Sequence, residues 1–200
     1  MPTLVAFYPV GNVFNGNDMD DPDAWTVYAG ADEPIEYTWT DGTLLFTGTA
    51  SEEITYQTHV WQAFEVEAGS YRFAAEISGG GDGFNNAYLE FLIGRSEPVD
   101  GENYSPGATS ADGVHPDNGK VASINFWQGC GTEEARGDII DLGCDPQGLA
   151  SVAAGENSTN GIITFHEAGT YYFVIKAGYW NGSMGNGMSV LNVSLAPVDE

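Results

Sequence analysis

The chain has 200 residues, of which 42% are apolar and 12% aromatic, enough for the core of one full-sized β-sandwich or barrel. Its 29 acidic and five basic residues give a formal net charge of −24, which repels the phosphates of nucleic acids and of anionic lipids. No window approaches the run of about 18 apolar residues that a membrane span needs. We therefore expect no nucleic-acid partner, no membrane insertion and a well-solvated surface suited to salty water.

The first 23 residues contain a short apolar segment followed by an acidic turn. Residues 1–14 are interrupted by Pro9 and Gly11, which predicts either an edge strand or an arm that packs on a neighbour. Met1 is followed by no basic region and no unbroken apolar stretch, so this segment does not resemble a secretory signal. Residues 15–23 are rich in Asn and Asp, which form solvated turns and also supply the oxygen ligands that calcium takes.

The next segments predict β-strands. Residues 35–39 and 44–48 flank Asp41-Gly42, a sequence typical of a tight β-hairpin turn. From Tyr56 to Ile93, apolar residues recur at every second position in three runs separated by turns at 68–70 and 79–83, which predicts an antiparallel β-meander. The predicted inward-facing set is Val60, Gln62, Phe64, Val66, Tyr71, Phe73, Ala75, Ile77, Ala87, Leu89, Phe91 and Ile93.

The remaining residues alternate long connections with further strands. Residues 94–120 have almost no periodicity, and long connections of this kind are usually functional or partner-facing. A strand is predicted over 121–127, followed by a Gly-rich loop over 128–160. That loop carries Cys130 and Cys144, which could close a disulfide or remain free thiols. Strands over 161–165, 170–177 and 188–195 complete the chain.

A repeated turn motif indicates how the strands are arranged. Glu67-Ala68-Gly69-Ser70 returns as Glu167-Ala168-Gly169-Thr170, each between β-rich runs, which predicts equivalent positions in two sheets. Eight to ten strands without a convincing helix predict an all-β, antiparallel β-sandwich of the jelly-roll type. We expect a single domain over residues 1–200, with long inserted loops and a loop-rich insertion over 96–160.

Five motifs in this order resemble a known family. They are an Asn-Gly-acidic start before Trp25, then DGTLLFTG (41–48), WQAFEVEAGSYRFAAEISG (61–79), EAGTYYFVIKAGYW (167–180) and LNVSLAPV (191–198). Together they resemble the galactose-binding-like jelly roll, and in particular the carbohydrate-binding modules that accompany secreted glycan-degrading enzymes. The resemblance covers residues 12–95 and 161–197 and leaves 96–160 unmatched. It is more specific for the fold than for a ligand, because this fold hosts many unrelated binding roles.

The resemblance implies a structural Ca²⁺ between the acidic N-terminal segment and a pair of residues before the final Val-Ser-Leu. In this chain that pair is Leu191-Asn192, so the carboxylate expected on that side is missing. Asp18, Asp20 and Asn192 are the candidate oxygen ligands that remain.

The resemblance also implies a carbohydrate-binding surface. Such modules place flat aromatic rings against sugar faces and flank them with amides and carboxylates. The candidates outside the predicted core set are Gln57, His59, Trp61, Tyr88, Glu90, Trp127, Tyr179 and Trp180. The alternative for each aromatic ring is packing in the core or at its rim. No nucleophile motif, phosphate loop or distinctive carboxylate pair is present, so we predict no catalytic residues and no enzymatic activity.

Two functions are compatible with this sequence. The first is a non-catalytic structural or adhesion protein on the surface of a bacteriophage particle, as a capsid decoration or tail-associated protein. It would contact other virion proteins or copies of itself, with weak binding to host glycans as a secondary role. The start at Met1 without a signal or a catalytic domain favours this hypothesis. The alternative is an extracellular carbohydrate-binding module of a secreted marine polysaccharide-degrading enzyme.

Overall fold

The computed structural model describes residues 12–16, 19–104, 122–127, 134–138, 158–159 and 161–198. A 3-10 turn at Pro22–Ala24 precedes the first strand. The strands are β1 (Thr26–Ala29), β2 (Glu36–Thr40), β3 (Thr43–Thr47), β4 (Thr55–Val66), β5 (Gly69–Gly80), β6 (Phe84–Gly94), β7 (Ala122–Trp127), β8 (Glu134–Asp138), β9 (Ser158–Thr159), β10 (Ile162–Phe165), β11 (Gly169–Met184) and β12 (Met188–Pro197). Within the described part of the chain, no helix has the length and apolar character needed to cross a membrane.

The strands form two antiparallel sheets. Sheet A has the order β1-β4-β11-β6-β7, and sheet B has the order β2-β3-β12-β5-β10-β9, with β8 also paired to β5. Between the sheets lies an aromatic core in which Phe173 stacks on Phe14 and Phe91 and contacts Phe73 and Trp25. The predicted all-β antiparallel sandwich is therefore confirmed.

The period-two alternation correctly predicts which side chains face the core. All the residues of the predicted inward set are buried. Gln62 can lie among them because its amide is hydrogen-bonded to both backbone polar groups of Asn15, accepting from the N–H (2.9 Å) and donating to the carbonyl oxygen (3.0 Å).

The predicted meander is wrong. β4 and β6 belong to sheet A, where β11 separates them, whereas β5 belongs to sheet B. Alternation defines the two faces of a strand but carries no information on which strand lies beside it. The predicted hairpin, by contrast, is confirmed as β2–β3, with positive φ at Asp41 (50°) and Gly42 (71°) as a two-residue hairpin turn requires.

The repeated Glu-Ala-Gly turns are arches between the sheets. The first leads from β4 in sheet A to β5 in sheet B, and the second leads from β10 in sheet B to β11 in sheet A. In the first arch the buried Tyr71 hydroxyl donates to the carbonyl oxygen of Glu67 (3.2 Å), and in the second Tyr171 donates to Glu167 (2.9 Å). Phe165 packs edge-on against both tyrosine rings, so the arches lie side by side at one end of the sandwich.

The range predicted as a loop-rich insertion, 96–160, contains more regular structure than the sequence indicated. β7 was predicted, but β8 and β9 fall within the segment predicted as loop. Their short, polar sequences lack the alternation that identifies a half-buried strand. Cys130 and Cys144 lie outside the described residues, as do residues 1–11 of the predicted arm, so the disulfide, the arm and the single-domain assignment stay predictions.

Candidate functional site

The outer face of sheet A carries a polar patch that spans three neighbouring strands. Alternation on β4 places Gln57, His59 and Trp61 on the face opposite to the core, as the sequence analysis assumed. The strand register then brings His59 beside Lys176 of β11, and Lys176 beside Glu90 of β6. We call the set Gln57, His59, Trp61, Tyr88, Glu90 and Lys176 the polar face. On β7, Trp127 occupies the register position next to Tyr88.

The side chains of the polar face are connected to one another. Gln57 donates through its amide nitrogen to the Tyr88 hydroxyl, and its amide oxygen accepts from His59 Nε2 (2.9 Å). Lys176 Nζ lies 3.0 Å from Glu90 Oε2 and 5.5 Å from the centre of the Tyr88 ring. Because an amide oxygen only accepts, the neutral His59 ring carries its proton on Nε2.

Two glycines make this network sterically possible. A Cβ at Gly178 would overlap the Tyr88 hydroxyl, and a Cβ at Gly30 would overlap His59 Nε2 and the amide oxygen of Gln57. Because β11 carries no side chain at Gly178, Gln57 and Tyr88 can meet across this strand, and Gly30, directly after β1, leaves room for the contact between Gln57 and His59.

The polar face is closed to solvent. His59 is 0% exposed, and Gln57, Lys176 and Tyr88 are also buried. The Tyr104 ring lies over His59, with 6.3 Å between ring centres, and belongs to the same apolar cluster as Trp61. Burial, and then the neighbouring Lys176 charge, lowers the pKa of His59 to about 3, so the imidazole is neutral at pH 7. Burial also raises the pKa of Tyr88 and of Tyr104.

The remaining two sugar-binding candidates lie on opposite sides of sheet A. Tyr179 faces inward and stacks on Tyr56, with ring centres 5.0 Å apart and planes 22° apart. Trp180 is 51% exposed and pairs in register with Thr55. The predicted residues therefore do not form one site: most lie on the closed polar face, whereas Tyr179 contributes to a separate, open groove. Their role in sugar binding stays a prediction.

This open groove lies where β2 and β3 of sheet B meet β4 and β11 of sheet A. It encloses about 520 Å³ and is lined by Pro34, Glu36, Gly48, Thr49, Tyr56, Tyr179, Ser183 and Gly185. A neighbouring hollow of about 390 Å³ shares Thr49 and Tyr56 and adds Ala50, Ser51 and Glu52. Tyr56 lines both, and we call the combined depression the Tyr56 groove.

The lining of the Tyr56 groove combines aromatic rings with hydrogen-bonding groups. The Tyr56 hydroxyl donates to Glu52 Oε2 over 3.4 Å. A Cβ at Gly48 would lie 2.6 Å from the Tyr179 hydroxyl, so this glycine leaves room for that hydroxyl in the groove wall. Burial, and then the Glu52 carboxylate, raises the pKa of Tyr56, and burial, and then Tyr56, raises that of Tyr179. Both phenols therefore keep their protons at neutral pH.

Sequence reasoning missed most of this groove. Tyr56, Glu36 and Thr49 come from separate strands and a connection, and only the packing of the two sheets brings them together. Tyr56 also continues the inward alternation of β4, which favoured a core role. No spacing motif could have identified the set.

The predicted calcium ligands are only partly described. Asp18 lies outside the described residues, Asp20 is exposed and Asn192 is half-buried on β12. Among the residues that the structure describes, no group of three His, Cys, Asp or Glu side chains is placed to hold a metal ion. Since Asp18 is one of the two alternatives for the N-terminal ligand, calcium binding stays a prediction.

No family model matches this chain, and no curated protein matches its sequence. Among solved structures it is similar to the enzymatically active domain of tailspike protein 4 of bacteriophage CBA120, with 10% identity and a TM-score of 0.50 over 94% of this chain and 22% of that chain. It is also similar to the N-terminal cellulose-binding domain of Cellulomonas fimi β-1,4-glucanase C (12% identity, 94% and 98% coverage, TM-score 0.46). A third similar structure is TmCBM61 in complex with β-1,4-galactotriose (10% identity, 94% and 95% coverage, TM-score 0.42).

At these identities the likeness concerns the fold alone. Carbohydrate-binding modules, which the sequence motifs also resemble, and a phage tailspike domain are among the structures to which this jelly roll is similar. This chain spans about a fifth of the tailspike domain, at 22% of its length.

Proposed function

We propose that this chain is a non-catalytic, glycan-contacting jelly-roll module whose accessible binding site is the Tyr56 groove. The observation that carries the proposal is the open groove in which Tyr56 and Tyr179 lie beside Glu36, Glu52 and several hydroxyl groups. Sugar rings present apolar faces that pack on aromatic rings and a rim of hydroxyls that hydrogen-bond to carboxylates. The net charge of −24 favours neutral sugars over sulfated or uronic ones.

Affinity electrophoresis tests the binding site. Native gels cast with hydroxyethylcellulose, xylan, β-1,4-galactan or mannan should retard the protein in at least one case. We expect Tyr56→Ala to weaken that retardation about tenfold or more, because it removes the ring shared by both parts of the groove. Tyr37→Ala is the matched control, because Tyr37 is exposed and lies outside the groove lining. Equal retardation of Tyr56→Ala and the native protein, with both folded, would refute the assignment.

The absence of catalysis is part of the same proposal. It is supported by the burial of the polar face, where His59, Lys176 and Glu90 lie together but out of reach of a polymeric substrate in this conformation. Incubation with the same four polysaccharides should release no new reducing ends. If the native protein released reducing ends and His59→Gln did not, a purely binding role would be contradicted.

We further propose that the module lies on the outside of a bacteriophage particle, as a structural or adhesion protein next to other virion proteins or to copies of itself. The acidic surface and the fold-level likeness to a phage tailspike domain support this location. An antiserum against the chain should label the exterior of purified particles in immunogold electron microscopy. Detection only in a particle-free secreted fraction, within a longer polypeptide, would instead support the carbohydrate-binding module of a secreted enzyme.

A further inference from the structure

The segment over residues 95–104, here called the strap, follows β6 and ends with Tyr104 on the polar face. Two hydrogen bonds join the strap to β1, from Ala29 N to Asp100 Oδ1 (3.1 Å) and from Gly101 N to Ala29 O (2.9 Å). The Tyr104 hydroxyl donates back to the carbonyl oxygen of Ser96 (2.9 Å), which closes the strap on itself. The strap thus holds an aromatic ring over the polar face.

The strap has few of the features that make a segment stable. Arg95 fixes the start of the strap by binding Glu167 (2.7 Å) and the Tyr171 hydroxyl (3.1 Å). Beyond it, Pro98 and Tyr104 are the buried side chains, and most of the other residues are exposed. The hydrogen bond to Asp100 lies at the surface, where water competes for both partners. Segments with few buried contacts and exposed hydrogen bonds open at a free-energy cost well below that of global unfolding.

The face beneath the strap contains two polar atoms that have no hydrogen-bond partner among the residues that the structure describes. They are His59 Nδ1 and Trp61 Nε1, and both residues are at least nine-tenths buried, at 0% and 7% exposure. Unpartnered polar atoms at this depth are uncommon and unfavourable for the closed state. His59 Nδ1 is an acceptor and Trp61 Nε1 is a donor, and they lie two residues apart on one side of β4.

Hydroxyl groups suit both atoms, because a hydroxyl can donate a hydrogen bond to His59 Nδ1 or accept one from Trp61 Nε1. Beside these atoms lie the Trp61 ring, the Gln57 amide and the Lys176–Glu90 ion pair, which can each contact a further hydroxyl. Because positive and negative charges neutralise each other here, the face suits an uncharged ligand. These groups together match a neutral saccharide better than an anion or an apolar molecule.

We propose that the polar face is a second saccharide site, that the strap is its hinged cover, and that ligand binds after the strap opens. This proposal rests on the proposed glycan-binding function. It adds to the Tyr56 groove a second binding site, whose apparent affinity depends on how often the strap is open. The apparent affinity of this site equals its intrinsic affinity multiplied by the fraction of molecules in which the strap is open. Loosening the strap therefore strengthens binding without changing the site.

The experiment uses the Tyr56→Ala background, so that the groove does not contribute. Isothermal titration with cellohexaose, β-1,4-galactohexaose and mannohexaose compares this background with added Asp100→Ala. Removing the Asp100 anchor should raise the affinity for at least one saccharide about fivefold, the factor expected for one lost hydrogen bond. Glu102→Ala is the matched control, because it removes the same charge from the strap and leaves both anchoring hydrogen bonds intact.

Two further variants keep the test decisive. Tyr104→Ala removes the ring over His59 and should bind at least as tightly as Asp100→Ala, and Trp61→Phe should reverse the gain by removing the Nε1 donor. Hydrogen exchange should show ligand-dependent changes in residues 57–61 and 95–104. If folded Asp100→Ala and Tyr104→Ala bind none of the three saccharides, or bind them no better than Glu102→Ala, the proposal is overturned. Failure of the groove assignment has a different signature, which is unchanged gel retardation in Tyr56→Ala alone.

Discussion

The closed polar face makes stability depend on pH through His59. In the folded protein, burial and then the Lys176 charge lower the pKa of His59 to about 3, whereas an unfolded chain leaves histidine near its ordinary value of about 6.5. Below pH 6.5 the unfolded state therefore binds a proton that the folded state does not take up. Protonation favours unfolding, so this contribution to stability is complete at neutral pH and is lost as the pH falls toward 3.

The expected magnitude follows from the two pKa values. Between pH 7 and pH 5, His59 alone should reduce the free energy of unfolding by about 2 kcal/mol. His59→Gln removes the titrating ring and keeps an amide that can donate to Gln57. The pH dependence of this variant should therefore be shallower than that of the native protein by about 2 kcal/mol over the same interval.

Urea denaturation at pH 7, 6 and 5, followed by circular dichroism, measures this difference. Other titrating groups contribute equally to both proteins and cancel in the comparison. His166→Gln is the control for the exchange of a histidine for a glutamine, because His166 is exposed. Parallel stability curves for the native protein and His59→Gln would show that solvent reaches His59, and the description of a sealed face would be wrong.

Two further predictions concern the packing that positions the sites. Lys176→Met should lower the free energy of unfolding, measured by urea denaturation, by about 3 kcal/mol, because it removes the ion-pair partner of the nearly buried Glu90. A loss of stability below about 1 kcal/mol would contradict this prediction. Tyr71→Phe and Tyr171→Phe should each cost about 1 kcal/mol in thermal melts through the lost hydrogen bond to the arch. Tyr171→Phe should cost more than Tyr71→Phe, because the Tyr171 hydroxyl also accepts a hydrogen bond from the Arg95 guanidinium. Tyr37→Phe is the control and should be neutral, because Tyr37 is exposed.

The sequence predicted the faces of the strands better than their neighbours. Alternation along β4 placed Gln57, His59 and Trp61 together on the side away from Val60, because a period of two is a local property of an extended chain. That His59 lies beside Lys176 depends on the pairing of β4 with β11, whose residues are more than a hundred positions apart. Local patterns do not encode such pairing, which is why the three runs over 56–93 were predicted as a meander although they are divided between the two sheets.

The sequence also predicted neither the cover of the polar face nor the groove. Tyr104 closes over His59 through a segment without periodicity, so its buried position has no local signal. Tyr56 faces the core side of its strand and lines a groove only because Gly48 leaves space beside Tyr179. The Asp41-Gly42 turn, in contrast, was predictable because its backbone requirement is met by two adjacent residues.

The most direct measurement of glycan contact at the Tyr56 groove is an NMR titration of ¹⁵N-labelled protein with a soluble fragment of the polysaccharide that retards it most in the gels. We predict that the largest amide shift changes occur at Thr49, Tyr56 and Ser183, all of which line the groove. Shift changes confined to other surfaces, or none with any of the four polysaccharides, would contradict a glycan-contacting role for this groove.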